Sequence, residues 1–225
     1  LSQASSELRV GGVAALLGGT GGLVGNVLHP TPPAETEALL RVVAAMPHWT
    51  AIHLMITVSA VFMVGAFGLL VSTLEGARSR AIGDLARYAA VLGGAALMAG
   101  IMIDGYSYPY LARVWLAAEG EQKAAIFWAA DAVHVVDLAL FAVWSTVFLG
   151  LAFLLAGAAL FVSGNYSRLL GVIAMVGGAM CLLFGCSVAL RFESPLPVWP
   201  LGAAVDSVWL LAVGVSMLRK ARLSD

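Results

Sequence analysis

Six apolar segments dominate this chain, each at or above the ~20 residues that an α-helix needs to cross the hydrocarbon core of a bilayer. They run over residues 9–29, 50–73, 87–107, 126–161, 168–190 and 199–219. Lipid offers no partner for a backbone N–H or C=O, so such segments must bond internally as helices. The expected fold is therefore an all-α integral membrane bundle of six transmembrane helices in three hairpins, forming one domain over residues 1–225. Composition agrees. Charged residues make up 11% of the 225, against about 25% in ordinary soluble domains, and the mean hydropathy is +0.94.

The connections alternate in character. Segments 75–87 and 163–168 are short, and the first of them is basic. Segments 30–48, 108–123 and 192–199 are longer. Lys and Arg follow the same division: Arg9, Arg78, Arg80, Arg87, Arg168, Arg219, Lys220 and Arg222 fall on one side, and Arg41, Arg113, Lys123 and Arg191 on the other. Positive charge is retained on the cytoplasmic side, so both termini are expected there, in a multi-pass inner-membrane protein. The first apolar stretch follows Arg9 like a signal sequence. It runs to Leu28, beyond an ordinary h-region, and no small-x-small cleavage site follows, so it reads as a retained helix.

The outer connections carry helical signals of their own. Leu39, Val42, Val43 and Met46 recur at helical spacing after Pro32-Pro33, and segment 110–118 has a similar pattern. Both are expected as short amphipathic helices on the membrane surface. Trp49, Trp115, Trp128 and Trp199, with Tyr106, Tyr108 and Tyr110, lie at the outer boundary, as an interfacial aromatic belt would.

Glycine pairs recur in helices 1, 3 and 5, at Gly18-Gly19, Gly93-Gly94 and Gly177-Gly178, each followed by a polar exit containing proline. Helix 1 also holds the G-x-x-x-G pairs Gly18/Gly22 and Gly21/Gly25, which let backbones approach closely in lipid. Cys181 and Cys186 are about 140° apart on a helix, so they face different ways and do not pair.

Candidate chemistry lies toward the outer side. Counting helical rise from the cytoplasmic ends puts His29 and His53 at about 30 Å, Asp104 at about 25 Å and Asp206 at about 18 Å. The D-A-V-H-V-V-D run of helix 4 places Asp131, His134 and Asp137 over an arc of about 120°. Segment 123–161 would extend about 57 Å if unbroken, so this run should project at or above the outer boundary unless the helix tilts or breaks near Gly150 or Gly157. His48, beside Trp49 at a helix start, suits a plain interfacial role. No helix end lies at the depth of Asp206, so solvation there does not explain it.

Three chemical readings fit these residues. One is a divalent transition metal held by His29, His53 and His134, with Asp104, Asp131 or Asp137 as further ligand or orienting carboxylate. A second is haem b with His53 and His134 as axial ligands across a slot in the bundle. The third needs no cofactor: Asp104, Asp206, His53 and Arg191 form a polar pocket in which Asp206 and Asp104 act as catalytic or proton-relay acids, as in a membrane-embedded enzyme or a small proton-coupled transporter. The leading expectation is one extracytoplasmic pocket, lined by His29, His53, Asp104, His134, Asp137 and Asp206, that binds a metal ion or a small apolar ligand. Expected partners are the lipid bilayer, a lipid-soluble small molecule and other membrane subunits. A net charge of −1 argues against nucleic acid. The only lysines, Lys123 and Lys220, lie at span boundaries, which excludes retinal chemistry. No P-loop, dinucleotide fingerprint or G-x-S-x-G elbow is present, and no span carries the arginine series of a voltage sensor.

Overall fold

A computed structural model describes residues 3–190 and 198–223. Arg191 and the proline-bearing 192–197 connection, both used in the expectations above, lie outside the described residues. Among those described there is no strand, and six helical rods are long and apolar enough to span a membrane. This is a multi-pass membrane protein.

The elements are α1 (Gln3–Leu28), α2 (Thr36–Ala45), α3 (Trp49–Ser72), α4 (Ala77–Met102), a π-helical turn (Ile103–Ser107), α5 (Tyr108–Ala117), α6 (Gly120–Trp144), a second π-helical segment (Ser145–Ala152), α7 (Phe153–Val162), α8 (Arg168–Leu190) and α9 (Val198–Leu223). Contacts close them into a ring. In it α1 lies between α3 and α9, α4 between α3 and the α6–α7 rod, and α8 between that rod and α9. Phe67, Phe148, Phe153 and Trp209 fill the middle as a packed aromatic cluster, with Phe67 and Phe153 centroids 4.9 Å apart and Phe153 and Trp209 5.3 Å apart.

Glycine sets the spacing of the ring. Each glycine pair presents one member to each neighbouring helix. A Cβ on Gly18 would lie 2.9 Å from the Met63 backbone nitrogen in α3, and one on Gly19 2.8 Å from the Ser207 carbonyl oxygen in α9. Gly93 faces the backbone of Phe148 and Gly94 the side chain of Val64. Gly177 faces Val205 and Asp206, and Gly178 the backbones of Leu154 and Gly150. The recurring pairs are thus packing devices that serve two interfaces at once.

One end of the bundle is tied by polar contacts between turns. Asn165 Nδ2 donates to the Thr73 carbonyl at 2.8 Å, the Tyr166 and Thr73 hydroxyls share a 2.7 Å bond, and Ser72 Oγ donates to Glu7 at 2.9 Å. Lys220 donates to the Asn165 carbonyl and its ammonium lies over the Tyr166 ring. Burial pushes the Tyr166 phenol above its ordinary pKa, so the ring under that ammonium stays neutral. Gly76, at φ 86°, makes the tight entry to α4 that an L side chain resists.

Several expectations change here. The third helix begins at Ala77 rather than near residue 87, so Arg78, Arg80 and Arg87 are helical and not in a loop. Segment 110–118 is no separate surface helix. It continues α4 through the π turn, giving one rod of 41 residues, about 60 Å long. The fourth rod has 43 residues and turns π-helical around Gly150. Both overshoot the other helices at the same end, and α2 forms against them. The apolar face of α2, Leu39, Leu40 and Val43, is buried on Trp49, Tyr108, Ala112, Trp115 and Ala130. It is covered by protein, not by lipid. Trp49 and Trp115 are accordingly interior residues of this cap and not members of a belt, while Trp128 faces outward. Cys181 is buried and Cys186 exposed, on different faces as expected.

Packing through bare backbone gives a clear contrast. Gly178→Ala puts a methyl 2.6 Å from the Leu154 nitrogen and should cost about 1–3 kcal/mol. Gly65→Ala meets nothing within 4 Å and should be neutral or slightly stabilising. Thermal unfolding of the two variants in one detergent should show a lowered midpoint for the first alone.

Candidate metal centre

Proline 109 organises the candidate site. Within a helix its missing N–H leaves the Gly105 carbonyl without its i+4 donor, and in a π turn it also deprives the Asp104 carbonyl of its i+5 donor. The first two residues of α3 supply both. Trp49 Nε1 donates to the Asp104 carbonyl at 2.7 Å, and Thr50 Oγ1 donates to the Gly105 carbonyl at 3.0 Å. The start of α3 is therefore docked on the π turn of the third rod. One turn later, His53 comes to rest directly against it. Gly105 is required at this contact, because a Cβ there would overlap the His53 side chain.

The π turn aims the Asp104 carboxylate at His53, and α1 ends so that His29 closes the group. His53 Nε2 and Asp104 Oδ2 are 3.0 Å apart, His29 Nε2 and Asp104 Oδ2 3.4 Å, and the two Nε2 atoms 3.2 Å. The opposite ring nitrogens are already committed. His53 Nδ1 donates to the Trp49 carbonyl and His29 Nδ1 to the Pro30 carbonyl, both at 2.7 Å. A ring nitrogen bonded to a carbonyl carries the proton, so each neutral imidazole turns its Nε2 lone pair inward. In that form two lone pairs and a carboxylate oxygen converge on one point, where a metal ion could be held; a proton on either Nε2, shared with Asp104, satisfies the same contacts.

The dimensions suit a metal ion. Ligands about 2.0–2.1 Å from a tetrahedral zinc are separated by about 3.3 Å, and the three separations here bracket that length. The Trp49 indole packs on both imidazoles, at 5.2 Å from His53 and 5.0 Å from His29, which holds their ring planes. His53 is 2% exposed, whereas Asp104 and His29 are 22% and 17% exposed, so the group opens toward the outside of the bundle.

Of the remaining expected site residues, Asp137 lies near the group and the others lie elsewhere. His134 is buried in the cap; its Nε2 donates to the Ala34 carbonyl at 3.2 Å, and its Nδ1 accepts from the Tyr108 hydroxyl at 3.1 Å. Both ring nitrogens are occupied, so His134 does not face His53 across a haem slot, and the residues present do not fit that group. Asp131 accepts a 2.6 Å bond from Thr36 Oγ1. Asp137 lies near Gly100 and within electrostatic range of Asp104 and His53. His48 precedes α3 as its cap residue without a side-chain capping bond.

Asp206 is separate from all of these. Asn26 Nδ2 donates to the Pro200 carbonyl, which sets Pro200 beside the last turn of α1. Six residues further along α9, Asp206 lies about 9 Å deeper. It faces α8, where Oδ2 accepts from the Cys181 thiol at 3.6 Å, and Oδ1 has no hydrogen-bond partner among the described residues. The structure therefore brings together His29, His53 and Asp104, and leaves Asp206 in the α8–α9 interface. Comparison of the chain with protein-family models, with curated proteins and with solved structures finds no match among them.

The docking of α3 on the π turn can be measured. Thr50→Val removes the donor to the Gly105 carbonyl and should cost about 1–3 kcal/mol. In a Pro109→Ala background, which restores a backbone N–H, the same change should cost much less. Equal costs in the two backgrounds of this double-mutant cycle would disprove the role assigned to Pro109.

Proposed function

We propose that this is an inner-membrane protein of three helical hairpins, with both termini in the cytoplasm, that binds a divalent transition metal through His29, His53 and Asp104 on its extracytoplasmic side. The observation that carries this reading is the convergence of three lone-pair-bearing atoms within 3.0–3.4 Å, with both imidazoles held in the metal-binding tautomer by backbone carbonyls. Two imidazoles and one carboxylate with a coordination position left open are the ligand set of hydrolytic zinc and of non-haem ferrous iron. A closed structural site would use four protein ligands. The open position, reachable from outside, favours a site that acts on a bound water or a small ligand, and so an enzyme embedded in the membrane. Orientation rests on the basic residues gathered at the end where Arg78, Arg80, Arg168, Arg219, Lys220 and Arg222 lie.

Elemental analysis of the purified protein should find about one zinc or iron per chain, as one three-ligand site implies. His53→Ala and Asp104→Ala should reduce it to background, and Asp206→Asn should leave it unchanged. Metal retained in full by His53→Ala would rule out this centre. Because the ligating nitrogens must be unprotonated, affinity should fall as the pH drops. Titration of metal occupancy between about pH 5 and 8 tests that direction.

A further inference from the structure

The segment joining His29 to α2 has little means of holding itself. Pro30, Pro32 and Pro33 lack backbone donors, and no helix forms between Leu28 and Thr36. Yet this strap carries a ligand at its start, and the Pro30 carbonyl that orients His29 belongs to it. Two side chains of α6 grip its far end. His134 donates from Nε2 to the Ala34 carbonyl at 3.2 Å, and Asp131 accepts from Thr36 at 2.6 Å. Tyr108, fully buried, donates to His134 Nδ1 and so places the His134 proton on the nitrogen that meets the strap. Ala34 and Thr36, five and three positions before Leu39, are thus fixed from a different rod.

We infer that His134 and Asp131 are positioning residues for the metal centre, holding the 29–36 strap so that His29 stays on the ion. This rests on the metal reading above, and it assigns the two α6 groups to the strap instead of to the metal. Removing an outer partner of a metal-ligating histidine commonly lowers metal affinity by about ten- to a hundredfold while leaving the ligands in place. A strap released from α6 acts in the same way, since His29 must then be ordered at the moment of binding.

The test uses the full chain in detergent, stripped of metal and titrated with cobalt(II), whose visible ligand-field bands report the donor set. Wild type should bind and develop bands that His53→Ala abolishes. His134→Leu, which removes the bond to Ala34, and the isosteric Thr36→Val, which removes the bond to Asp131, should each weaken binding by about ten- to a hundredfold. At saturation both should show wild-type band positions and intensities. His134→Gln, whose amide keeps an N–H toward Ala34, should recover most of the affinity. Wild-type affinity in both His134→Leu and Thr36→Val would overturn the positioning role and leave the metal site standing. Altered or missing bands in saturated His134→Leu would make His134 a ligand and overturn the proposal. Absence of cobalt binding by wild type would sink the metal reading itself, and this inference with it.

Discussion

Close approach of bare backbone is the interaction on which this bundle depends. Lipid tails are as apolar as leucine, so helices in a membrane gain little from hiding apolar side chains and must associate by packing. Here the packing is made at glycines that face the backbones of neighbouring helices, above all Gly18, Gly19, Gly93, Gly150 and Gly178. With the helices held at that spacing, four large rings fill the centre and leave it occupied. Chemistry is left to the ends and to isolated interior groups such as Asp206.

The site is a consequence of unequal helix length. Two rods of about 60 Å rise past four shorter helices at one end, and the ends of α1 and α3 meet the side of the longer third rod instead of water. A helix flank normally has no free carbonyls to offer. Pro109 supplies two, and Trp49 and Thr50 bond to them. That docking brings His53 to the π turn, the turn aims Asp104, and the stacked indole orders both imidazoles. A single proline thereby couples a backbone irregularity to the cluster of His29, His53 and Asp104.

Much of this was legible beforehand. The apolar runs gave six helices, and counting helical rise put His29 and His53 at one height, as observed. It set Asp104 lower because the count began at residue 87, ten residues inside a helix that starts at Ala77. The overshoot of helix 4 is observed, and it puts His134 in the cap against Tyr108 and Ala34. Its destination was not readable, because an exposed-looking i, i+3, i+6 run of Asp and His serves equally well as ligands or as anchors for a strap. The π turn was missed, although Pro109 inside an otherwise helical pattern was a usable signal. The aromatic belt holds in part: Trp128, Tyr106 and Tyr110 are exposed, whereas Trp49 at the start of α3, with Tyr108 and Trp115 of the third rod, is covered by the protein cap.

The sequence by itself determined that the chain is helical and crosses a membrane six times, since apolar length and obligatory internal hydrogen bonding leave no other solution. It also determined that glycine would carry the helix contacts, and that histidine and carboxylate would gather toward one end. Only the tertiary structure decided which of those groups meet. Ligand geometry depends on fractions of an ångström and on which ring nitrogen holds the proton, and both are set by carbonyls at Trp49 and Pro30 that look like any others in the sequence. That is why His29, His53 and Asp104 form a cluster, His134 and Asp131 bond to the segment before α2, and Asp206 stands apart between α8 and α9.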